Sequence, residues 1–458
     1  MQQERSKMLG TMPMKKLVPT VSVPIMISML VQALYNIVDG IFVSQYSPEA
    51  LGAVNLAMPL QMLMIALSTG MGTGINSLIS RRLGERNPHE ARLAAKNGLL
   101  VEVCGWLLFV VVGLFLARPF MAVFTADQPP EEAKLLLEQG TEYLTIVCVF
   151  SIGLFMSICF ERMLQASGNT KASMLTQLAG AVTNIALDPV FIFVFDMGVA
   201  GAAIATVIGQ WVGMILGFIL NQKTNPELKL SWDHFRPDMR ILKPIFVVGL
   251  PSTVMQAISS LLNVLMNALL MGLSVTAMNV LGVYFKLQSF VFMPVFGLSN
   301  GMVPIVGYNY GARNRKRVYE CIRVCLIFAA SIMLVGMLLF MLMPELLMAM
   351  FDSSEDGSLI AAGKTALRTI SVCFLPAAVG ITLSTVFQAV GKGMYSLIMS
   401  LCRQLVVLLP AAWLLSRISV EAVWWAFPIA EVASLAICLF LFARCDKKLL
   451  RKLEEHHA

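Results

Sequence analysis

Histidine is nearly missing from this chain: there are four in 458 residues, His89, His234, His456 and His457, and none lies inside an apolar run. Membrane-embedded metalloenzyme chemistry draws on histidine and clustered carboxylates, so it has nothing to stand on here. Charge is scarce as well, at 13% of residues where an average soluble protein carries roughly 25%. Paired cysteine spacing is also lacking. The nine cysteines include no CxxC, and only Cys321 and Cys325 stand one helical turn apart. They read as small apolar packing residues, not as a disulfide or metal framework.

What the chain has is apolar length. Hydrophobic residues make up 57% of it, and its mean hydropathy is +0.76. Crossing a bilayer takes about 20 residues of helix. Runs of that order lie at 17–45, 53–80, 93–117, 141–163, 173–195, 201–222, 244–272, 277–306, 319–343, 366–390, 396–416 and 424–443. The runs are continuous, whereas a barrel strand would alternate over about ten residues, so they predict helices. The expected fold is an all-α polytopic membrane protein of twelve spans. The first run has no small-residue cleavage site after a short core and reads as a retained span.

Basic residues set the orientation. The N-terminus (Arg5, Lys7, Lys15, Lys16), RRLGERNPHEAR at 81–92, the connection at 223–243, YGARNRKR at 310–317 and the tail RCDKKLLRK fall on one side of a twelve-span chain. Two alternate connections, at 125–140 and 351–358, are acidic. Both termini are therefore expected in the cytoplasm. The net charge of +7 is accounted for by these topological anchors and their contacts with anionic lipid, without nucleic acid.

The chain also repeats itself. Residues 24–87 laid without a gap on 251–314 align Pro24 with Pro251, Asn36 with Asn263, Leu60-Gln61 with Leu287-Gln288, and Gly70 and Gly74 with Gly297 and Gly301. The same register sets GERN (84–87) on GARN (311–314), and a weaker match sets LQASG (164–168) on FQAVG (387–391). Glycines, a proline and a Gly-x-Arg-Asn held in one register argue for duplication. Six spans per half give both copies the same orientation, a parallel repeat with its axis along the membrane normal. The expected organisation is an N-terminal lobe 1–222, a cytoplasmic linker 223–243, a C-terminal lobe 244–443 and a basic tail 444–458. Two such bundles suit alternating access to a site between them. The glycines of the second span of each half serve either close helix contact or bending.

Against this background Asp39, at the centre of YNIVDGIFVS, is a carboxylate placed where charge is costly, so it should face a cavity or a partner unless it marks an interface. Asp188 in TNIALDPVFIF precedes Pro189, which disfavours a straight helix and frees a carbonyl on the preceding turn. Asn184 lies four residues earlier, on the same face. Two carboxylates, an amide oxygen and freed carbonyls make a hard-oxygen cluster for Na⁺, or a site that holds a proton. The alternative for Asp188-Pro189 is a helix end near the outer surface. In the second half Asp39 aligns with Met266 and Asp188 falls near Ala411, so a coupling ion belongs to the first lobe.

The combination of VDGIFVS, RRLGERN, NIALDPVFIF followed by GVAGAAIAT, and GMVPIVGYNYGARN resembles the multidrug and toxic compound extrusion (MATE) transporters, bacterial multidrug-export branch, over nearly the whole chain. The resemblance implies a secondary exporter of bulky, often cationic or aromatic compounds in a bacterial inner membrane. Inward Na⁺ or H⁺ would drive it, with no other cofactor, and it would work as a monomer in contact with membrane lipid. It also implies an ion site on Asp39, Asn184, Asp188 and Thr206, the last in span six. An acidic residue of span seven, used by some members, is absent here.

Other intramembrane polar residues leave two readings each. Asn36, Gln61, Asn263 and Gln288 line a cavity or bond between helices. Lys286 and Arg403 face the cavity or pair with acidic neighbours, and Glu431 has no obvious partner and points to cavity exposure. Glu161-Arg162 reads as a mutual or lipid-facing anchor at the cytoplasmic end of span four, in preference to a substrate contact. Thirty-one methionines suit a cavity that accepts many shapes, although lipid-facing and core positions account for most of them. A flippase for lipid or lipid-linked oligosaccharide of the same superfamily is the alternative function. It calls for a strongly basic cavity, whereas the buried charge of the first lobe leans acidic.

Overall fold

The computed structural model describes residues 6–126, 128–231, 236–351 and 357–453. His234, His456, His457, Arg5 and most of the acidic connection at 351–358 lie outside them. Ten helices are long and apolar enough to cross a membrane, and two bent pairs bring the number to twelve. In chain order they are α1 (Met14–Tyr46), α2 (Pro48–Gly84), α3 (Pro88–Thr125), α4 (Pro130–Val149 and Ile152–Ala166, bent by 44°), α5 (Thr170–Val194) and α6 (Gly198–Thr224). The second half follows with α7 (Met239–Met271), α8 (Val275–Gly311), α9 (Arg315–Leu342), α10 (Ser358–Ser371 and Phe374–Ala389, bent by 48°), α11 (Gly393–Leu415) and α12 (Val420–Lys452). No strand occurs among the described residues. The all-α fold of two six-helix bundles is the one the sequence predicts.

Helix ends extend past the apolar runs, because polar caps let a helix continue into the interface. α7 begins at Met239, inside the stretch read as linker, where the Asp238 side chain accepts from the Arg240 N–H at 2.8 Å. α12 likewise runs into the stretch read as tail. Ahead of α1 stands a short helix, Lys7–Thr11, with Leu9 completely buried.

The repeat is visible in local chemistry. α1 and α7 are each 33 residues long, and α2 and α8 each 37. Ser47 and Ser274 occupy equivalent N-caps, accepting from the N–H of Ala50 and of Ala277. In the two Gly-x-Arg-Asn turns, Arg86 and Arg313 both adopt φ of 57°. Asn87 and Asn314 then cap the next helix through the N–H of Glu90 and of Arg317. An asparagine oxygen satisfies a donor that a helix start leaves orphaned, which accounts for the last residue of the motif.

The halves meet at the end that carries these turns. A Cβ on Gly84 would collide with the carbonyl of Tyr308, and one on Gly311 with that of Arg81. Gly70 lies on Thr253 and Gly297 on Met26, while Gly74 lies on Ile245 and Gly249 and Gly301 on Ser22. Apart from Gly74 on Ile245, each contact has a mate in the register of the repeat. The glycines of α2 and α8 thus bring backbone against backbone between the halves. Hydrogen bonds reinforce the same end: Ser22 Oγ to the Leu298 carbonyl, Thr69 Oγ1 to Gln256 Oε1 at 2.8 Å, and Ser77 Oγ to the Gln388 carbonyl at 2.6 Å. Among the described residues, no hydrogen bond joins the halves beyond Met29 on α1 or Gln256 on α7. Farther along, Leu34 and Ile37 and their equivalents Leu261 and Val264 are exposed. The halves therefore diverge toward Tyr46 and Met271, leaving a cleft.

Gly84→Ala and its equivalent Gly311→Ala should each destabilise the protein by about 1–3 kcal/mol, the usual cost of overpacking. Gly282→Ala, with nothing within 4 Å of the added carbon, should leave the melting temperature in detergent at or above that of the wild type. Thermal unfolding of the three variants checks this. Equal melting for all three would mean that the glycines do not hold the halves together.

Candidate functional site

α1, after its contacts with α8, carries Asp39 along the first half to face α5. Asp39 and Asp188 come within hydrogen-bonding reach of one another. Asp188 is completely buried. The Asn184 amide nitrogen donates to Asp188 Oδ1 at 3.2 Å and to Thr206 Oγ1 of α6 at 3.4 Å. The i, i+4 spacing of Asn184 and Asp188 puts both on one face of α5. Pro189 does not end that helix; it continues into a π-helical turn over Val190–Val194, of the kind found at functional positions.

Three acceptor atoms of this cluster are buried without a partner: Asp39 Oδ1, Asn184 Oδ1 and Asp188 Oδ2. Each is an oxygen lone pair that no protein donor fills, open to a cation or to a hydrogen-bond donor. All the donors to a bound ion would be oxygens, from two carboxylates, an amide and a hydroxyl, a set suited to a hard monovalent cation and not to a transition metal. Among the described residues no group of three or more His, Cys, Asp or Glu converges.

Two tyrosines that the sequence reading passes over belong to the same neighbourhood. The charges of Asp39 and Asp188 both reach Tyr35 and Tyr143, and the Tyr143 hydroxyl donates to Gln61 Oε1 at 3.2 Å. Tyr35 precedes Asp39 by four residues, so helical spacing signals it. Tyr143 sits in an apolar stretch next to an acidic connection and gives no signal of its own.

The remaining candidates separate. Gln61 bonds between helices, as one of its two readings has it. Asn36 and Asn263 are exposed toward the diverging ends, and neither they nor the half-buried Gln288 make a side-chain hydrogen bond. Lys286 is exposed, with its ammonium 5.8 Å from the centre of the Phe351 ring. Glu431 does have a partner: Arg403 Nη1 lies 3.0 Å from its Oε1. The expectation of an unpartnered glutamate fails because the two residues lie on different helices, α11 and α12, brought together only by the fold.

Glu161 is not a lipid-facing anchor. It is buried, accepting from Gln177 Nε2 at 2.6 Å and Thr176 Oγ1 at 3.5 Å. Arg162 donates to Gln165 Oε1 at 2.9 Å, and the charges of Glu161 and Glu102 both reach it. Glu102, on α3, is 1% exposed and takes a hydrogen bond from Ser68 at 2.8 Å. Sequence hydropathy misses this second buried cluster because single charges in long apolar runs look alike whether they face lipid or protein.

The MatE family model matches this chain twice, over residues 24–190 and 251–414. The chain is 26% identical over 442 residues to the multidrug export protein MepA of Staphylococcus saprophyticus, covering 94% of each. It is 24% identical over 438 residues to MepA of Staphylococcus aureus strain MRSA252, covering 95% of each. Among solved structures it resembles the outward-facing conformation of a multidrug resistance MATE family transporter of the MOP superfamily, with a TM-score of 0.89 and 28% identity over 98% of this chain and 99% of that one. A MOP superfamily transporter from Pyrococcus furiosus, described as having a binding pocket of reverse polarity, matches with a TM-score of 0.88, also at 28% identity over 98% of this chain and 99% of that one.

Neutralising either carboxylate removes a charge that no protein donor fully satisfies, so Asp39→Asn and Asp188→Asn should melt at or above the wild-type temperature in sodium-free detergent. A clear drop in melting temperature for both would identify them as members of a structural network and not as a site left open for a ligand.

Proposed function

Because the chain belongs to the MatE family, a family of transporters and not enzymes, we propose that it is a secondary multidrug exporter. Inward movement of Na⁺ or H⁺ drives bulky, often cationic or aromatic compounds outward by alternating access. The observation that carries this reading is the Asp39–Asp188 pair with Asn184 and Thr206, whose unpaired acceptors stand in the first half, while Met266, at the position equivalent to Asp39, is completely buried among apolar residues. In this reading the four residues hold the coupling ion. The end at which the halves join faces the cytoplasm with both termini, and the cleft opens outward. Asn36, Asn263, Gln288 and Lys286 are the polar groups available to a substrate in it.

An exchanger needs ion and drug to favour different states, since a ligand bound equally well by both shifts nothing. A cation on the carboxylate pair replaces the missing donors and draws α1, α5 and α6 together. A cationic drug that relies on the same negative charge loses it when the ion is bound. The flippase alternative draws little support from this cleft, because Lys286 is the one cation among the polar groups named in it and a lipid pyrophosphate calls for a strongly basic cavity.

Reconstituted protein should export a fluorescent organic cation only under an imposed inward Na⁺ or H⁺ gradient, and Asp39→Asn should abolish that coupled export. In detergent, the saturating ion should weaken drug affinity by about 5- to 150-fold, the usual span of a coupling between sites, and the drug should weaken ion affinity by the same factor. The effects of Asp39→Asn and Asp188→Asn should be non-additive, as for residues sharing one site. Competition between ion and drug that survives in the double mutant would place the ion elsewhere, with Glu161 the next residue to test.

A further inference from the structure

The joined end of the two halves has two corners related by the repeat, and they are filled differently. At one corner Tyr308 and Gly168 enclose the short helix Lys7–Thr11. Leu9 reaches to within 3.4 Å of where a Cβ on Gly168 would stand. Its carbonyl accepts from Asn309 at 2.9 Å and from Arg317 at 3.1 Å. At the other corner the equivalents of Tyr308 and Gly168 are Arg81 and Gly391. There a cavity of about 310 Å³ remains, lined by Arg81, Arg240, Lys243, Pro244, Val247 and Gly391.

Three cations from both halves thus converge on one cavity, and no carboxylate lines it. Arg81 spends its Nε on the Ser77 carbonyl at 3.1 Å, while its Nη2 is buried with no partner. Glu85, whose charge reaches Arg81, is itself held by Arg82 at 2.6 Å. Gly391 adopts a left-handed φ of 80°, and a side chain there would run into the Arg81 guanidinium. The glycine keeps that fork turned along the cavity wall.

We propose that this corner binds a phosphate-type oxyanion that bridges the two halves. The Arg81 guanidinium supplies positive charge at the cavity wall, while Arg240 and Lys243 close over the anion from the first turn of α7. The chemistry fits two sources, the headgroup of an anionic phospholipid in the adjoining leaflet or free phosphate. Either one touches both halves, so it stabilises the arrangement in which they are joined at this end.

The test uses the full chain in phosphatidylcholine nanodiscs. One arm adds increasing fractions of phosphatidylglycerol, and the other adds inorganic phosphate against chloride at equal ionic strength, with the melting temperature as the readout. The wild type should be stabilised saturably in one arm, and the arm that responds identifies the source. Arg240→Gln/Lys243→Gln, which changes only exposed side chains, should need on the order of tenfold more anion for the same shift. The control Lys15→Gln/Lys16→Gln removes the same charge from the corresponding face of α1, beside the filled corner, and should respond like the wild type. No stabilisation of the wild type in either arm would overturn the proposal. So would an identical response of the Arg240/Lys243 variant, or an equal loss in the Lys15/Lys16 control, which would mark a diffuse basic surface.

Discussion

Backbone contact of α2 with α7, of α8 with α1, and of α2 with α8 is the constraint on which the rest of this molecule hangs. It is possible only because glycine stands at Gly70, Gly74, Gly84, Gly297, Gly301 and Gly311. Fixing the four helices at one end decides where they separate, and so creates the cleft. It also ties the cleft to the carboxylates. α1 touches the other half through Ser22, Met26 and Met29 and carries Asp39 ten residues on, about 15 Å along the same helix. Pro24 lies inside the contacting stretch and Pro19 just ahead of it, and each removes a hydrogen bond from the helix ladder. The helix that carries Asp39 is therefore weakest close to where it meets the opposite half.

Charge is distributed unequally between the two bundles. The first holds Asp39, Asp188, Glu102 and Glu161 with Arg162 among them, and several of their atoms have no protein partner. The second balances Glu431 against Arg403 at 3.0 Å. Breaking that pair would leave a partly buried charge alone, whereas the first bundle already tolerates such charges. The unpaired acceptors of the first bundle thus have no counterpart in the Arg403–Glu431 pair of the second.

Much of this was legible in the sequence because membrane helices announce themselves by length and repeats by register. The ungapped match of 24–87 to 251–314 holds in one register the residues that the fold makes into paired caps, paired left-handed arginines and glycine contacts. The cluster of Asp39, Asn184, Asp188 and Thr206 was legible in part from polarity and helical spacing, and in part only through resemblance to a family. Hidden were contacts made by folding alone. Arg403 meets Glu431 across two helices, Glu161 turns inward to Gln177, and Tyr143 reaches Gln61. Hydropathy records how polar a residue is, not which way its helix face turns, so lipid-facing and buried charges look the same in a string of letters.

The mated contacts also say something about symmetry. Gly84 lies on Tyr308 and Gly311 on Arg81, each the mirror of the other in the repeat. An arrangement in which position i of one unit meets j of the second, and j of the first meets i, is the isologous pattern of a two-fold homodimer. Within this one chain the two six-helix units meet through the same surface of each. The one place where the present chain most plainly breaks that symmetry is the pair of corners occupied by the Lys7–Thr11 helix on one side and by a basic cavity on the other. Because both halves belong to a single chain, two corners that the repeat makes equivalent are free to differ.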